Sequence, residues 1–414
     1  MGFLRPVVVA SPCIGLDSPA QVARAVGVPW VSNNVFDIRA ELRVPLAKSH
    51  GAEEVRRYNL GQECGDLCSV RPHTLQDSDG LISGPPCIAT SLIGSRRGKC
   101  DGRSFAFHAV ASWIVELAKR GCLIFFIIEH VVGMLRKCKG DVGECICVDF
   151  VNFINTHLPD WHVRAIVWNS GWCKCPQFRL RVCVRGCHPC LHQTKLQRSF
   201  LDAEMVRYPP VPLVRYLQPH ASESDFDKLS LQQRMNVQVR LHEMLEQHTD
   251  SDIGVVDISR DPVRKFPAQI ALDKVHTIRC NNAHLWILPS ARLQHVFGPR
   301  GRRMNEVEKA VCCGVDPSII EGSSLSSIRT SLGNTIPVPL MAAILLPVLK
   351  SMLDHQRIDA AGLSHKRKHA AYIKALLWLL CRGSSHTERW YLPDLCLHAS
   401  CVSFRHMTIG CQFN

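Results

Sequence analysis

The sequence lacks an apolar run long enough to span a bilayer. Its cleanest run, residues 122–128 (CLIFFII), stops at Glu129, and residues 340–349 are also well short of the roughly 20 residues that a spanning helix needs. The first residues lack a charged segment followed by a long apolar one, so we expect neither a membrane protein nor a secreted one. Collagen-like and low-complexity tracts are absent too, because 26 glycines and 24 prolines in 414 residues are near the average share.

Acidic residues are few relative to basic ones. The chain has 49 Lys and Arg against 36 Asp and Glu, with a formal net charge of +13 and a pI near 9.0, which favours a polyanionic partner. The hydrophobic share of 46% excludes wholesale disorder, and the length allows two or three domains, or one large domain with an inserted module. The 21 cysteines are an odd number scattered over the chain, which predicts a reducing compartment and mostly free thiols.

Short β-rich runs alternate with helical segments through the first half of the chain. Predicted strands lie at residues 6–10, from 30 onward, and at 80–83, 123–128, 163–169 and 180–184. Helices fit between them, and the one predicted over residues 104–119 places four apolar side chains on one face: Phe107, Val110, Ile114 and Leu117. This alternation predicts an α/β fold with a doubly wound, mostly parallel sheet.

The pattern changes near Gly186. Residues 187–279 are irregular apart from one helical segment at residues 229–248, and an apolar helical pattern returns over residues 334–353. We therefore predict a catalytic and cofactor-binding domain over 1–186, a second, smaller domain over 187–300 and a return to the first over 301–363. Residues 364–414 are a basic, Cys-containing extension to which we assign no role.

Three short motifs carry candidate chemistry. The turn at residues 84–87 (GPPC) follows a predicted strand and places the Cys87 thiol at the edge of the sheet where α/β proteins bind ligands. Its prolines fix the backbone, and the positive end of a following helix would lower the thiol pKa. Glu129 ends an apolar strand, where a raised pKa would suit a proton donor. Arg179 and Arg181 share one face of a strand. Each motif alone is also compatible with an ordinary turn, an exposed acid or a solvated face.

Taken together and in this order, the motifs resemble the cytosine-5 DNA methyltransferase family. That family has a prolyl-cysteine turn, an E-N-V turn, Q-x-R-x-R, a variable target-recognition domain and a closing G-N segment. The corresponding parts of this chain are GPPC at 84–87, Glu129-His130-Val131, QFRLR at 177–181, the irregular region and Gly333-Asn334. Supporting matches lie at residues 65–67 (GDL), 101–104 (DGRS) and 292–297, and the resemblance extends over about residues 5–350.

The resemblance implies a Rossmann-like methyltransferase domain with a small inserted target-recognition domain, which transfers a methyl group from S-adenosylmethionine to C5 of cytosine in DNA. It implies that Cys87 adds to C6 of the base, that Glu129 hydrogen-bonds N3 and the amino group, and that Arg181 lies near O2, with Arg179 structural. A duplex substrate requires the cytosine to be flipped out of the stack. The cofactor contacts that it implies are those of Gly15, Asp66, Leu67, Pro86 and Asn334.

The chain departs from the family in the cofactor-binding part. The family reads F-x-G-x-G-G after its first strand, whereas residues 10–15 (ASPCIG) keep only the last glycine. Pro12 and Ile14 add bulk there, and Pro12 removes a backbone donor. Asn34 stands where the second strand normally ends in an acid, with Asp37 as a possible substitute.

Two departures in the catalytic motifs leave alternatives open. Ile88 replaces the Gln that follows the nucleophile, and His130 replaces the Asn of E-N-V. One alternative is a catalytically inactive nucleic-acid-binding member of the same fold. The other is a tRNA cytosine-5 methyltransferase, although the C-F-T tripeptide common in that branch is absent from this sequence.

Three clusters have a second interpretation. Residues 183–192 (CVRGCHPCLH) contain Cys and His at spacings that suit zinc, but no second paired cluster matches, so we predict no metal. The basic run at 365–369 (HKRKH) suits nuclear import or phosphate contact, and also a solvated helix start; with the DNA partner it favours a nuclear location. Arg96, Arg97 and Lys99 follow the nucleophile and are candidates for DNA phosphates.

Overall fold

The computed structural model describes residues 5–62, 64–91, 97–138, 143–189, 191, 210–219, 224–259, 270–279 and 284–359. The strands of its larger sheet are β1 Val7–Pro12, β2 Trp30–Asp37, β3 Asn59–Leu60, β4 Gly80–Ser83, β5 Phe125–Val131, β6 His162–Asn169 and β7 Leu180–Cys187. They lie in the order β3–β2–β1–β4–β5–β7–β6. Strands β1 to β5 are parallel to one another, whereas β7 runs antiparallel between β5 and β6. The predicted α/β fold with a mostly parallel sheet is confirmed.

Helices cover this sheet and fill the connections between strands. The helices are α1 Ser18–Ala25, α2 Arg43–His50, α3 Ala52–Val55, α4 Phe105–Lys119, α5 Ile146–His157, α6 Ser224–Asp227, α7 Leu231–Gln247, α8 Gln294–Phe297, α9 Glu306–Cys312, α10 Pro317–Ile320, α11 Leu325–Asn334 and α12 Val338–Asp359. The apolar face predicted for residues 104–119 is buried in α4.

Alternate strand residues enter two different cores. Val9 and Ile127 belong to a cluster that includes residues of α1, α2 and α12, whereas Ala10 and Ile128 belong to one formed with α4 and α5. Because successive side chains of a strand point to opposite faces, the sheet is buried on both sides. This accounts for the continuous apolar runs in β1 and β5.

Two strands extend further than the sequence pattern predicts. β5 begins at Phe125 rather than residue 123 and continues through Glu129 to Val131, because all seven of its residues pair with β7. β2 continues to Asp37, although its register against β1 shifts between Ala10 and Pro12. Glu129 therefore lies within a strand, and Asp37 ends one.

A second sheet follows, in the region where the sequence predicts only irregular structure and one helix. Its strands are β8 Ile253–Asp257, β9 Ala271–Leu272, β10 Leu285–Pro289 and β11 Arg302–Arg303, in the antiparallel order β11–β10–β8–β9. The predicted helix over residues 229–248 is present as α7, and it buries Val237 and Met244 against β8 and β10. The proposed domain boundaries at residues 187, 300 and 363 stay a prediction.

Among the described residues, no single helix is both long and apolar enough to cross a bilayer. Only the bent pair of α11 with residues 338–353, at 43° to each other, reaches that length and composition when taken together.

Candidate active site

The Cys87 thiol lies in a tight turn directly after β4. The Cys87 carbonyl accepts hydrogen bonds from the backbone N–H groups of Thr90, at 3.1 Å, and Ser91, at 2.8 Å. The side chain of Cys87 is half-buried. A turn over residues 88–90 follows it, so the helix N-terminus that we predicted directly after Cys87 is absent at these described positions.

A buried ion pair lies beside this turn. The Nε atom of Arg181 in β7 is 2.8 Å from the Oε1 atom of Glu129 in β5, and both side chains are less than a tenth exposed. The adjacent strand register brings the two together, since Val131 pairs with Arg181 and Glu129 with Cys183. Burial, and then the nearby Arg179, lower the pKa of Arg181 to about 10, so its guanidinium remains protonated at neutral pH.

Gly84 brings the Cys87 turn close to this ion pair. A Cβ atom placed on Gly84 would lie 3.6 Å from Oε2 of Glu129, which is van der Waals contact. The prolyl-cysteine turn and the Glu129 carboxylate therefore meet at the carboxyl edge of the sheet. Three residues predicted from separate motifs, Cys87, Glu129 and Arg181, come together there.

His130 connects the same strand to both sides of Cys87. Its Nε2 lies 3.4 Å from the carbonyl oxygen of Pro86, and its Nδ1 lies 3.5 Å from Oγ1 of Thr90. The ring packs edge-on against Phe107 with the ring centroids 4.7 Å apart. Burial lowers the pKa of His130 to about 4, so the imidazole is neutral at pH 7.

Arg179 has a structural position. Its guanidinium donates to the carbonyl oxygens of Ile278 and Gly333, each at 3.2 Å, and its backbone N–H donates to Asn169. Arg179 thus joins the start of β7 to a segment near the second sheet and to the closing G-N segment. The side chains of Arg179 and Arg181 are both buried, which excludes the solvated-face interpretation of QFRLR.

A narrow cleft lies beside the loop that follows β1. Its lining includes Cys13, Ile14, Asp17, Gly84, Asn334 and Ile336. The backbone N–H of Gly15 is 3.5 Å from Oδ2 of Asp37. Arg39 also contacts this carboxylate, through its backbone N–H at 3.1 Å and its Nε at 2.7 Å.

Two glycines bring the segments around this cleft together. A Cβ on Gly15 would lie 3.4 Å from the carbonyl oxygen of Asn334, and Gly15 has a φ of +57°. A Cβ on Gly65 would lie only 2.1 Å from the carbonyl oxygen of Asp37. The left-handed φ favours glycine at position 15, and the lack of space requires it at position 65. These glycines allow the loop after β1, the end of β2 and the segment before Asp66 to meet.

The model of one protein family, described as C-5 cytosine-specific DNA methylase, matches residues 52–350, nearly three quarters of the chain. The chain belongs to this family. Members of the family use S-adenosylmethionine as the methyl donor. The matched range contains Cys87, Glu129 and Arg181, whereas Gly15 precedes it.

Curated methyltransferases match shorter parts of the chain. The type II methyltransferase M.MthTI of Methanothermobacter thermautotrophicus is 30% identical over 118 residues, which are 28% of this chain and 32% of that protein. The type II methyltransferase M.HhaI of Haemophilus parahaemolyticus is 30% identical over 132 residues, or 32% of this chain and 37% of that protein. The chain thus spans about a third of the length of the relatives it matches.

Solved structures show the likeness of the fold. A methyltransferase of Entamoeba histolytica, EhMeth, aligns with a TM-score of 0.53 and 12% identity, over 86% of this chain and all of that chain. The Dnmt2 methyltransferase of S. pombe aligns with a TM-score of 0.53 and 14% identity, over 84% of this chain and all of that chain.

The backbone beside the cleft fits S-adenosylmethionine, whereas the Asp37 carboxylate is already engaged. Arg39 donates to this carboxylate through its backbone N–H, its Nε and a terminal nitrogen, and Gly15 donates through its backbone N–H. Because a carboxylate offers about four acceptor positions, ribose hydroxyl groups would have to displace the Arg39 side chain. The backbone of Gly15 and Asn334 borders the cleft.

The predicted cofactor residues have different positions around this region. Asn334, the last residue of α11, lines the cleft. Gly15 lies next to it, because a Cβ atom on Gly15 would be 3.4 Å from the Asn334 carbonyl oxygen. Asp66 is exposed and accepts from the backbone of Cys68, whereas Leu67 is buried. Pro86 lies at the nucleophile turn, where its carbonyl contacts His130 rather than the cleft lining.

The acid that ends the second strand is Asp37, and Asn34 does not take that place. The shift in register between β1 and β2 inserts one extra residue near Asn34. Asn34 adopts a φ of +44° and donates from its side-chain amide to the carbonyl of Gln76, at 2.7 Å. Asn tolerates this left-handed conformation well. The sequence pattern places the end of β2 at Asn34, whereas the strand continues past this irregularity to Asp37.

The structure describes only some of the other candidate ligands. Lys99 forms an ion pair with Asp149 at 2.6 Å, Arg97 is exposed, and Arg96 lies outside the described residues. Cys190, His192 and the basic run at 365–369 also lie outside them. Within the described part of the chain, no group of three or more Cys, His, Asp or Glu is arranged to hold a metal ion.

Proposed function

We propose that the chain is a DNA (cytosine-5)-methyltransferase that transfers a methyl group from S-adenosylmethionine to C5 of cytosine through a covalent adduct at Cys87. The observation that carries the proposal is the placement of the Glu129–Arg181 ion pair beside the Cys87 turn in a chain of this family. A nucleophile, a carboxylate and a guanidinium at one sheet edge suit addition to an electron-poor base.

The chain's own groups accomplish the addition in steps. The Cys87 thiolate forms a bond to C6, and the electrons of the C5–C6 double bond move to C5. Glu129 hydrogen-bonds N3 and the exocyclic amino group, and the cationic Arg181 stabilises negative charge that develops at O2. C5 takes the methyl group as the bond of that group to the sulfonium sulfur breaks, and S-adenosylhomocysteine is the leaving group. Loss of the C5 proton to water and departure of the Cys87 thiolate then restore the aromatic ring.

The cofactor site in this proposal combines the cleft and its borders. When bound there, S-adenosylmethionine supplies a methyl group activated by its sulfonium charge. Asp37 would hold the ribose hydroxyls in place of the Arg39 side chain, and Gly15 and Asn334 would border the methionine part through their backbones. The remaining predicted contacts come from Asp66, Leu67 and Pro86.

Duplex DNA is the proposed substrate, with the target cytosine flipped out of the stack. The family description names DNA, and the net charge of +13 favours a nucleic acid. The residues over 187–300 are proposed to recognise the target sequence. A nuclear location is part of the same proposal, and imaging of a fluorescent fusion with residues 365–369 intact or neutralised tests it.

Transfer of a labelled methyl group tests the function. The chain is incubated with labelled S-adenosylmethionine and either duplex DNA or tRNA, alongside the variants Cys87→Ala and Cys100→Ala. Cys100 is a matched control, because it is an exposed thiol in the segment that follows the same turn. We expect label in DNA with the wild type and Cys100→Ala, and only background label with Cys87→Ala.

Other outcomes contradict the proposal in different ways. Label in tRNA alone would show that the substrate is RNA and not DNA. DNA binding without label in either nucleic acid would identify an inactive member of the fold. Full activity of Cys87→Ala would remove the covalent mechanism.

A further inference from the structure

A fully buried carboxylate ends the loop that borders the cofactor cleft. Asp17 is 0% exposed and caps the N-terminus of α1, accepting from the backbone N–H of Ala20 at 3.3 Å. Ser32 of β2 donates its hydroxyl to Oδ2 at 2.7 Å. Nε2 of His50 lies 3.1 Å from the same oxygen. Although burial opposes ionisation, His50 and Ser32 hold the pKa of Asp17 below its ordinary value.

His50 reaches Asp17 from outside the cleft. It is the last residue of α2, and its side chain is only 7% exposed. A guanidinium nitrogen of Arg24 lies 3.5 Å from Nδ1, and Tyr58 packs edge-on against the ring at 5.8 Å between centroids. Arg24 can only donate, so Nδ1 is the acceptor in that contact, and Nε2 is the ring nitrogen nearest to Asp17.

The loop in front of Asp17 has an unusual backbone for its sequence. Cys13, Gly15 and Asp17 all have positive φ values, of 57°, 57° and 49°, and only one of them is a glycine. Two residues with side chains therefore occupy a conformation that glycine normally provides. Such a path persists only when surrounding contacts determine it.

We propose that the buried Asp17–His50 pair holds this loop in its left-handed path, so that His50 acts as a positioning residue for the cofactor. The family has glycines in this loop that adopt such a path without strain, and this chain keeps only Gly15. The contact between Asp17 and His50 compensates for the other glycines by fixing the end of the loop. The loop is also fixed on its other side, since Ser18 Oγ donates to the carbonyl of Ile336 at 2.5 Å. This inference rests on the proposed function in taking the cleft as the S-adenosylmethionine site.

Loss of the imidazole leaves the Asp17 carboxylate with fewer partners in a site closed to water. A buried charge without its partner is unfavourable, so the carboxylate either draws in water or takes up a proton. Both changes move Asp17, and the loop from Cys13 to Asp17 moves with it. Cofactor affinity should therefore respond to a residue that does not touch the cofactor.

A double-mutant cycle tests this coupling in the full chain. The variants are Asp17→Asn, which keeps the size and the helix cap, His50→Gln, and both together. His157→Gln is the matched control, because His157 is also the last residue of a helix but is exposed. Calorimetry measures the Kd for S-adenosylmethionine, and peptide mass spectrometry measures the alkylation rate of the half-buried Cys13.

We expect each single variant and the double variant to weaken cofactor binding by about tenfold, because all three remove one interaction. Cys13 should be alkylated several-fold faster in all three, and His157→Gln should match the wild type in both measurements. The Kd for DNA should stay unchanged, which a general loss of structure would not allow.

Two results would overturn the inference. One is an unchanged Kd together with unchanged Cys13 protection in His50→Gln. The other is independent effects that multiply to about a hundredfold in the double variant. If the wild type releases no heat with S-adenosylmethionine, the proposed function fails, and the alkylation rates still decide whether the pair holds the loop.

Discussion

His130 links the strand that carries Glu129 to the turn that carries Cys87. Pro86 offers only a carbonyl oxygen, so Nε2 of the neutral ring donates to it, which leaves Nδ1 as the unprotonated nitrogen beside Thr90. The hydroxyl of Thr90 also donates to the carbonyl oxygen of Cys87, at 3.4 Å. The turn that carries Cys87 therefore packs against a buried histidine that is neutral at pH 7.

This protonation state predicts a pH dependence of stability. The unfolded chain binds the His130 proton near pH 6.5, whereas the folded chain binds it only near pH 4. Because the unfolded state binds more protons between these values, folding stability falls as the pH drops from about 6.5 to about 4, by up to about 3 kcal/mol. Denaturant unfolding of the wild type and His130→Asn across this range measures the difference.

The control for this prediction is His157→Asn, at an exposed histidine. We expect the free energy of unfolding of His157→Asn to depend on pH as in the wild type. In His130→Asn, the fall in stability between pH 6.5 and 4 that His130 causes should be absent. Identical profiles for all three proteins would show that His130 is not buried in its neutral form.

At the scale of single residues, the motifs were sufficient to predict Cys87, Glu129 and Arg181 as candidates, because each occupies a position fixed by a short pattern. The sequence could not show that Arg39 would contact Asp37, or that Asp17 would be buried against His50. Those contacts join segments whose relative positions depend on the irregular pairing of β1 with β2.

At the scale of elements, the helical turn after β5 supports the nucleophile turn. This 3-10 segment, Val132–Leu135, contains Gly133, where an added Cβ would lie 2.0 Å from the carbonyl oxygen of Thr90. The turn after Cys87 and the end of β5 therefore touch backbone to backbone. Neither can shift without the other.

Gly133→Ala should separate these two elements. We expect a loss of about 1–3 kcal/mol in the free energy of unfolding, and a fall in methyl transfer of about tenfold or more beyond the loss of folded protein. Chemical denaturation and labelled transfer under conditions where the variant is folded measure the two effects.

Gly102→Ala is the matched control, because a Cβ on Gly102 meets no atom within 4 Å. It should behave like the wild type in both assays. Wild-type activity of Gly133→Ala would contradict the close contact between the two elements.

The sequence pattern predicts elements well where burial is continuous. β4 appears where its apolar run predicts it, because it is buried between the two cores. α4 appears where the helical periodicity predicts it, because one face of it is buried in a single core. The second sheet was missed. Its strands β9 and β11 have two residues each, too short to show a period, and β8 and β10 are brief apolar runs that local sequence cannot assign to a sheet.

At the scale of the whole molecule, the segment before β7 connects the large sheet to the second one. Gln177 bridges to Val275, the Thr277 hydroxyl donates to the carbonyl of Phe178 at 3.0 Å, and Arg179 contacts Ile278 and Gly333. The same strand continues into Arg181 at the candidate active site. The second sheet and the candidate active site are thus attached to one continuous piece of backbone.

A covalent bond between Cys87 and cytosine requires the Cys87 turn, the Glu129–Arg181 pair and the bound cofactor together. Duplex DNA in which 5-fluorocytosine replaces cytosine tests it most directly. After methylation of C5, the fluorine cannot leave as a cation, so the adduct cannot break down and persists through denaturation. Mass spectrometry of the digested complex then locates the modified residue.

We expect an adduct on the peptide that contains Cys87, formed only with S-adenosylmethionine present and absent in Cys87→Ser. An adduct on another cysteine, or methylation of ordinary DNA without any trapped adduct on the fluorinated duplex, would contradict it.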